Sequence, residues 1–342
     1  MNEYLVGLVP DMSNADYHSQ PHIGSSGFKL MARSPLHFWT ASALNPERER
    51  KEPSRVMQMG TAWHTGIWEP ELFDLCYGIK PEGFTGATTV GKLLDLALAD
   101  LPAFIASHVA IPDGLSKASK AGKELLAELE AQGKTGVEES KLSVVLEHAA
   151  KLHGKMLFNA DDFADIRKMS DAAHIHPATQ VIFKLPGGMA EQSIFWIDQI
   201  TGAPCRIRPD YAVPPCSMFP TGLIVDGKST DNASRAEFGK TAWNAEMYFQ
   251  AAFYSDGFQA HYQTDKPPVF AWLAQERDAP YATQYHSAPA NFIEYGRRRY
   301  RPLLATFAEC LSTGQWPGYG AGVHELDLPT WAAKAIDEAV AA

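Results

Sequence analysis

Residues 190–230 read AEQSIFWIDQITGAPCRIRPDYAVPPCSMFPTGLIVDGKST. Apolar residues alternate through Ile194, Trp196 and Ile207, and Thr201-Gly202 supplies a turn, the pattern of a β-hairpin. GLIVDGKST (222–230) then forms a short apolar strand that breaks at Gly227. Toward the C-terminus, residues 233–257 predict one helix, with Phe238, Trp243, Met247, Ala251 and Tyr254 on related faces. PPVFAWLAQE (267–276) and PYATQYHS (280–287) predict two more strands joined by a tight turn. A long helix follows from about 289 to Gly314, and a last one from about 329. Toward the N-terminus, residues 24–80 read as short helices: Ser34-Pro35 puts a hydroxyl at the N-cap and a proline at N1, and Met57 to Trp68 has near-helical apolar spacing. The loop PEGFTGATTVG leads into an apolar stretch within 81–110, and 115–154 is polar and helix-prone, an amphipathic helical insert or lid. Strands separated by helices in this order predict a mixed central sheet flanked by helices, α/β or α+β.

The chain has 342 residues, 45% hydrophobic and 20% charged, which suits a soluble protein with a sizeable core and excludes wholesale disorder. No apolar run approaches the ~20 residues of a membrane span, so no membrane partner is expected. The opening MNEYLVGLVPDMSNADYH lacks a basic n-region, and no secretory leader is expected. Lys and Arg number 30 against 40 for Asp and Glu, a formal charge of −10 that argues against coating nucleic acid through a global positive field but leaves room for a local basic cleft. Cys76, Cys205, Cys216 and Cys310 are scattered without a CxxC pair, so neither a disulfide framework nor a structural zinc site is expected, and a reducing cytoplasm is the default. Walker A, HExxH, GxSxG and GxGxxG patterns are missing, which removes the ATPase, zincin, α/β-hydrolase and dinucleotide classes.

The chemistry gathers at strand ends. Glu191 opens the first strand, Asp210 falls late in the second, and Asp226 lies near the end of the third, with Lys228 two residues on. Residues i and i+2 of a strand share a face, so Asp226 and Lys228 project together. Adjacent strands lie about 4.8 Å apart, close enough for Asp210 and Asp226 to share one hard cation such as Mg2+ or Mn2+. A lysine beside such a metal orients a water while the metal stabilises charge on a phosphate oxygen, the needs of metal-assisted phosphodiester hydrolysis. Gln250 and Tyr254 are i, i+4 neighbours on the following helix, and His64 stands in GTAWHTGIWEP among apolar neighbours.

Each of these residues also has a plainer reading. His64, between Trp63 and Trp68, reads equally as a core histidine, Glu191 as an edge-strand charge, and Gln250 and Tyr254 as ordinary helix-face residues. His174 and His176 lack a third ligand at useful spacing, and His176-Pro177 reads better as a helix start. Arg297, Arg298, Arg299 and Arg301 form the densest basic cluster, either a solvated helix face or a phosphate-binding patch; Arg206 and Arg208 flank the proposed site and are candidates for scissile-phosphate contacts.

Taken in order, SSGFKLMARSPLHFW, MGTAWHTGIWEPELF, AEQSIFWID with RIRPDY and LIVDGKST, QAAFY, LAQE, and WPGY with LPTWA resemble the landmarks of the PD-(D/E)XK nuclease superfamily, and within it the exonuclease VIII (RecE C-terminal) type of phages and prophages. The resemblance implies a restriction-endonuclease-like core at 171–315, an N-terminal helical part at 1–80 that contributes His64, a helical insert or lid at 81–170, and a C-terminal tail and helix at 316–342. It implies Asp210 and Asp226 as metal ligands, Lys228 as the catalytic lysine, His64 and Glu191 as further catalytic and metal-site groups, and Gln250 and Tyr254 near the DNA backbone; on their charge and position, Arg206, Arg208, Arg297 and Arg298 join them as candidate DNA contacts. The implied activity is a Mg2+-dependent 5′→3′ exonuclease on double-stranded DNA ends that leaves 3′ single strands for a single-strand annealing (RecT-like) partner, working as a homo-oligomeric ring in the cytoplasm of a bacterial host. An endonuclease or repair nuclease on the same fold, or a catalytically degenerate DNA-binding module, remain as alternatives. Two departures stand out: Gly227 occupies the middle of D-x-K, where a larger apolar residue is usual, and PPCSMFPTG lengthens the loop before Asp226.

Overall fold

A computed structural model describes residues 4–49, 53–84, 89–99, 144–145, 148–149, 151–327, 329–332 and 338–339. Its organising element is β8 (Leu223–Thr230), the strand that carries Asp226 and Lys228. β8 runs parallel to β9 (Val269–Glu276), in the register Asp226 to Trp272 and Lys228 to Ala274, and antiparallel to β7 (Tyr211–Val213). With β10 (Thr283–Ser287) and β4 (Met189–Ala190) at the edges, the five-stranded sheet has the order β10-β9-β8-β7-β4. The apolar run Leu223–Val225 has no polar alternation because the strand is covered on both faces, and the strand does not break at Gly227 but continues to Thr230. Ile224 joins Phe270 and Trp272 in one core, while Val225 joins Ala271 and Leu273 in the other.

Contrary to the expectation from sequence, the strands of residues 190–230 do not lie side by side in one sheet. β5 (Ser193–Ile197) and β6 (Pro204–Ile207) pair as the expected hairpin, with Gly202 at φ +70° in its turn. They form a separate three-stranded sheet with β1 (Gly7–Val9). The chain then crosses to the larger sheet through Arg208-Pro209-Asp210. A proline without an N–H cannot extend the β6 ladder, and this break lets the next residues pair elsewhere. Asp210 therefore stands just before β7 rather than late in the second strand. Continuing the β7–β8 register by one residue from Tyr211 and Val225 puts Asp210 opposite Asp226.

The N-terminal helices are α1 (Asn14–Ser19), α2 (Ser25–Arg33), α3 (Pro35–Ala41), α4 (Arg55–Trp68) and α5 (Pro70–Cys76). Ser34 caps α3 as expected, accepting from the His37 amide, with Pro35 at N1. After the short β2 (Tyr77–Ile79) come α6 (Thr89–Ala99), β3 (Met156–Phe158), α7 (Ala160–Ile175) and α8 (Pro177–Ile182), the last capped by His176. The insert expected at 115–154 falls outside the described residues except at Val144, Val145, His148, Ala149 and 151–154, and the helix expected from 329 falls mostly outside them too.

The helix expected over 233–257 is two: α9 (Arg235–Asn244) and α10 (Met247–Tyr262). The break falls at Glu246, whose φ of +54° turns the chain. α10 is buried on several sides, Phe249, Phe253 and Phe258 being wholly covered, which explains why its apolar residues do not keep to one face. α11 (Ala290–Thr313) crosses α10 at Gly296, where an added Cβ would fall 2.1 Å from the Tyr248 carbonyl oxygen. So α2, α10 and α11 cover one face of the large sheet, while α4, α5 and α7 cover the other. Among the described residues no helix is long and apolar enough to cross a membrane.

Candidate active site

The two carboxylates opposite one another at the β7–β8 junction differ in environment. Asp226 is fully buried. One of its oxygens accepts from Gln250 Nε2 at 2.6 Å and the other is ion-paired with Lys228 Nζ. The i, i+2 geometry of the strand and the first turn of α10 thus meet at a single carboxylate. Asp210 is 8% exposed, and its Oδ2 accepts from the Gly227 amide at 2.6 Å. The same oxygen lies 3.3 Å from His64 Nδ1, delivered from the last turns of α4. Glu191, at φ +48° between β4 and β5, donates its amide to the Asp210 carbonyl at 3.1 Å. His64, Glu191 and Asp210 each place a ligand atom within 4.8 Å of the others.

Electrostatics marks this cluster as short of positive charge. Burial, reinforced by Asp210, pushes the Asp226 carboxyl up to about 6. Burial and Asp210 together push Glu191 up to about 8. Burial works against the charge on Lys228, but Asp226 and Asp210 outweigh it and hold the ammonium above its ordinary value. Packed carboxylates whose pKa values rise in this way are the donor set that a divalent cation stabilises. Oxygen donors from Asp210 and Glu191 with an imidazole alongside fit Mg2+ or Mn2+. Asp226 differs from the expectation in one respect: its oxygens are occupied by Lys228 and Gln250, and the tight ligand cluster is His64, Glu191 and Asp210.

Gly227 now has a reason. A Cβ there would meet Trp63 Cη2 at 3.2 Å, Trp68 Nε1 at 3.4 Å and Asp210 Oδ2 at 3.5 Å. The space that a larger residue would fill is occupied by the two indoles flanking His64. Trp68 stacks on Tyr211 at 5.7 Å, and its buried Nε1 has no partner among the described residues.

The remaining predicted residues divide. Tyr254 donates its hydroxyl to the Arg208 carbonyl at 3.1 Å and so fastens the segment entering Asp210. Arg208, 8% exposed, donates to Ser193 Oγ at 2.9 Å and to the Met12 carbonyl at 2.7 Å. Arg206 donates to the carbonyls of Tyr17 and Gln20, the latter at 2.8 Å, and both guanidinium groups lie over the Tyr17 ring. Their hydrogen bonds therefore join the N-terminal segment to β6. Arg297 is ion-paired with Asp256 at 2.6 Å and the exposed Arg298 with Glu294 at 3.0 Å, so neither pairs with the carboxylate cluster. His174 bonds the Ile67 carbonyl at 2.9 Å.

Sequence reasoning missed two features. Gln275, quoted within LAQE but given no role, is wholly buried behind Trp63, and it stands out as a polar residue closing the apolar run FAWLA. Beside Lys228 and Gln250 lies a cavity of about 350 Å3, lined also by Ser25, Ser26, Lys29 and Glu246. Its serines and lysine come from the SSGFKL segment, some two hundred residues before Lys228.

A strand-borne D-x-K, a second aspartate one strand away and a mixed sheet between helices define a PD-(D/E)XK-type nuclease fold, a class whose members generally use divalent metals. Residues 24–326 match the family described as a PDDEXK-like domain of unknown function. The chain belongs to this family. Among solved structures, a protein from Eubacterium rectale described as a "putative exonuclease" aligns over 96% of this chain and 99% of its own at 10% identity, with a TM-score of 0.48. Another, described as SSO0001, aligns over 55% of this chain and 85% of its own at 11% identity, with a TM-score of 0.27. No curated protein matches the chain.

Proposed function

We propose that this protein is a Mg2+-dependent deoxyribonuclease, Mn2+ being able to substitute, that degrades double-stranded DNA from its ends in the 5′→3′ direction and leaves 3′ single strands. The observation that carries the reading is the convergence of Asp210, Asp226, Lys228, His64 and Glu191, from four separate segments, around the middle of β8. The direction, the end-dependence and a single-strand annealing protein as partner rest on the sequence resemblance alone, as do a homo-oligomeric ring and a bacterial cytoplasmic setting.

Asp210, Glu191 and His64 would hold the cation, with Asp226 next to them. When bound, the cation neutralises phosphate charge and lowers the pKa of a coordinated water. Lys228 keeps its proton on Nζ and sits against Asp226, where it orients a water or a phosphate oxygen. Gln250 fixes the other oxygen of Asp226 and keeps that carboxylate from rotating. The Ser25–Lys29 cavity opens beside Lys228 and offers hydroxyl and ammonium donors to a phosphate next to the one being cleaved. In a chain of net charge −10, DNA binding then depends on such local donors, and salt weakens it.

The test is digestion of linear duplex DNA labelled at the 5′ or the 3′ end, with covalently closed duplex in parallel, by wild type and Asp226→Asn. Early release of the 5′ label by wild type, only with metal, is the expected result. Cutting of closed circles identifies an endonuclease, and metal-independent or absent cleavage by a well-folded wild type across several substrates rejects the hydrolytic reading.

A further inference from the structure

Gln275 is a buried amide in a setting where a leucine or methionine would fill the same space. It lies on β9 in register with Ser229 of β8, two residues beyond the Leu273–Gly227 pair. Its Oε1 accepts from Trp63 Nε1 at 2.5 Å. Its Nε2 donates to the Met169 carbonyl at 2.7 Å, to Thr283 Oγ1 at 3.0 Å and to the Tyr281 carbonyl at 3.3 Å. A buried amide is tolerated only when its groups are paired, and here the partners come from α4, α7, β10 and the turn before it. Its acceptor faces the residue adjacent to His64.

That adjacency matters because of helix geometry. Successive side chains on α4 are about 100° apart around its axis, so fixing the azimuth of Trp63 fixes that of His64. The two rings meet edge to face at 5.0 Å. Elsewhere α4 is held from the α7 side, where His174 bonds the Ile67 carbonyl at 2.9 Å and an added Cβ on Gly66 would fall 2.3 Å from Ser170 Oγ. Those contacts set the distance between two helices. Trp68 stacks on Tyr211 of β7, and the Trp63–Gln275 bond ties α4 to the strand on the other side of β8, on which Asp226 and Lys228 are carried. Trp63 also covers Gly227, so one indole touches the sheet at both places.

We infer that Gln275 is a positioning residue for the metal site: through the Trp63 indole it sets the rotation of α4 that presents His64 Nδ1 to Asp210. The inference rests on the proposed role of His64 beside a bound cation.

The experiment uses the full chain and three variants: Gln275→Met, which keeps the volume and removes the acceptor; Trp63→Phe, which keeps a ring and removes the donor; and their combination. Gln275→Glu, which keeps an acceptor for the indole, serves as the rescue. Mn2+ binding is measured by titration calorimetry, and the His64 imidazole resonances are followed by NMR in the metal-free protein, assigned with His64→Gln. Each single variant should weaken Mn2+ binding about tenfold, the lower end of what changes behind a metal ligand produce. Each should also shift the His64 resonances, and the double variant should be no worse than the poorer single one, since both remove one bond. Phe307→Leu, in the other core, should lower the melting temperature and leave Mn2+ affinity unchanged. Wild-type affinity and unmoved His64 resonances in both single variants overturn the inference, as do losses that add in the double variant. If Gln275→Met does not fold, Trp63→Phe and Gln275→Glu decide, the first expected to lose affinity and the second to keep most of it. If wild type itself binds no Mn2+, the metal reading fails separately; the His64 resonances then decide, shifted in both variants supporting the positioning role and unmoved refuting it.

Discussion

Replacing Gly227 with valine tests whether the two indoles have taken over the space that a side chain between Asp226 and Lys228 would need. An added Cβ meets Trp63 Cη2 at 3.2 Å, Trp68 Nε1 at 3.4 Å and Asp210 Oδ2 at 3.5 Å. For alanine these contacts are tight but within what neighbours relieve by small shifts. Removing a glycine from a strand also recovers ~0.5–1 kcal/mol of chain entropy. The two effects nearly cancel, so Gly227→Ala should be close to neutral. Valine adds two further carbons against rings held by Gln275 and Tyr211, an overpacking that costs about 1–3 kcal/mol. At roughly 2 °C per kcal/mol for a long chain, the melting temperature should fall by about 2–6 °C. Metal affinity should fall with it, because Asp210 Oδ2 is one of the three atoms met. Shrinking the partner should relieve the strain: Gly227→Val with Trp63→Leu should be more stable than the sum of the single changes predicts, by about 1 kcal/mol. Calorimetric melting of the four proteins, with and without Mn2+, supplies the numbers. If Gly227→Val melts with wild type and shows no coupling to Trp63→Leu, the space-filling account of the glycine is wrong.

Asp226→Asn should abolish metal-dependent hydrolysis while leaving the fold intact, since its Oδ1 can still accept from Lys228 and its Nδ2 can donate to Gln250 Oε1 once that amide turns over; residual cleavage above a few per cent of wild type counts against it. The carboxyls of Asp226 and Glu191 lie above their ordinary values when folded, so the stability they support is complete at low pH and is lost as pH rises through about 6 and then about 8. The metal-free protein should therefore lose melting temperature across that range, divalent metal should restore much of it at the alkaline end, and Glu191→Gln should flatten the upper part of the profile. Arg206→Met should expose the segment around Tyr17 and Gln20 to limited proteolysis yet leave the salt slope of DNA binding unchanged, because that guanidinium is bonded to backbone carbonyls; a shallower slope would make it a phosphate contact instead. Tyr254→Phe should cost about 1 kcal/mol through the lost bond to the Arg208 carbonyl, read by denaturant unfolding, with a smaller loss pointing to an alternative partner.

Much of the site was legible because strand chemistry is local. The i, i+2 rule put Asp226 and Lys228 on one face, and the i, i+4 rule put Gln250 and Tyr254 on one side of a helix, although their hydrogen bonds run to different targets, Asp226 and Arg208. His64 came from its motif context, and only its 3.3 Å approach to Asp210 distinguishes it from a core histidine. Arg206 and Arg208 show the opposite case. Their charge suggested phosphate, but the carbonyls that bind them belong to residues 12–20, nearly two hundred positions away, and no local pattern encodes that pairing.

The sequence by itself determined the mixed sheet, the order of its elements and the identity of the acidic and basic groups, because periodicity and residue type act over a few neighbouring positions. Tertiary structure alone decided that the opening hairpin builds a separate sheet and the chain crosses to the main one at Pro209, that Asp226 binds Lys228 and Gln250 while Asp210 faces His64, and that Gly227 yields its space to two tryptophans. Those outcomes depend on which distant surfaces exclude water together, and burial of that kind is a property of the whole packed chain, not of any window along it.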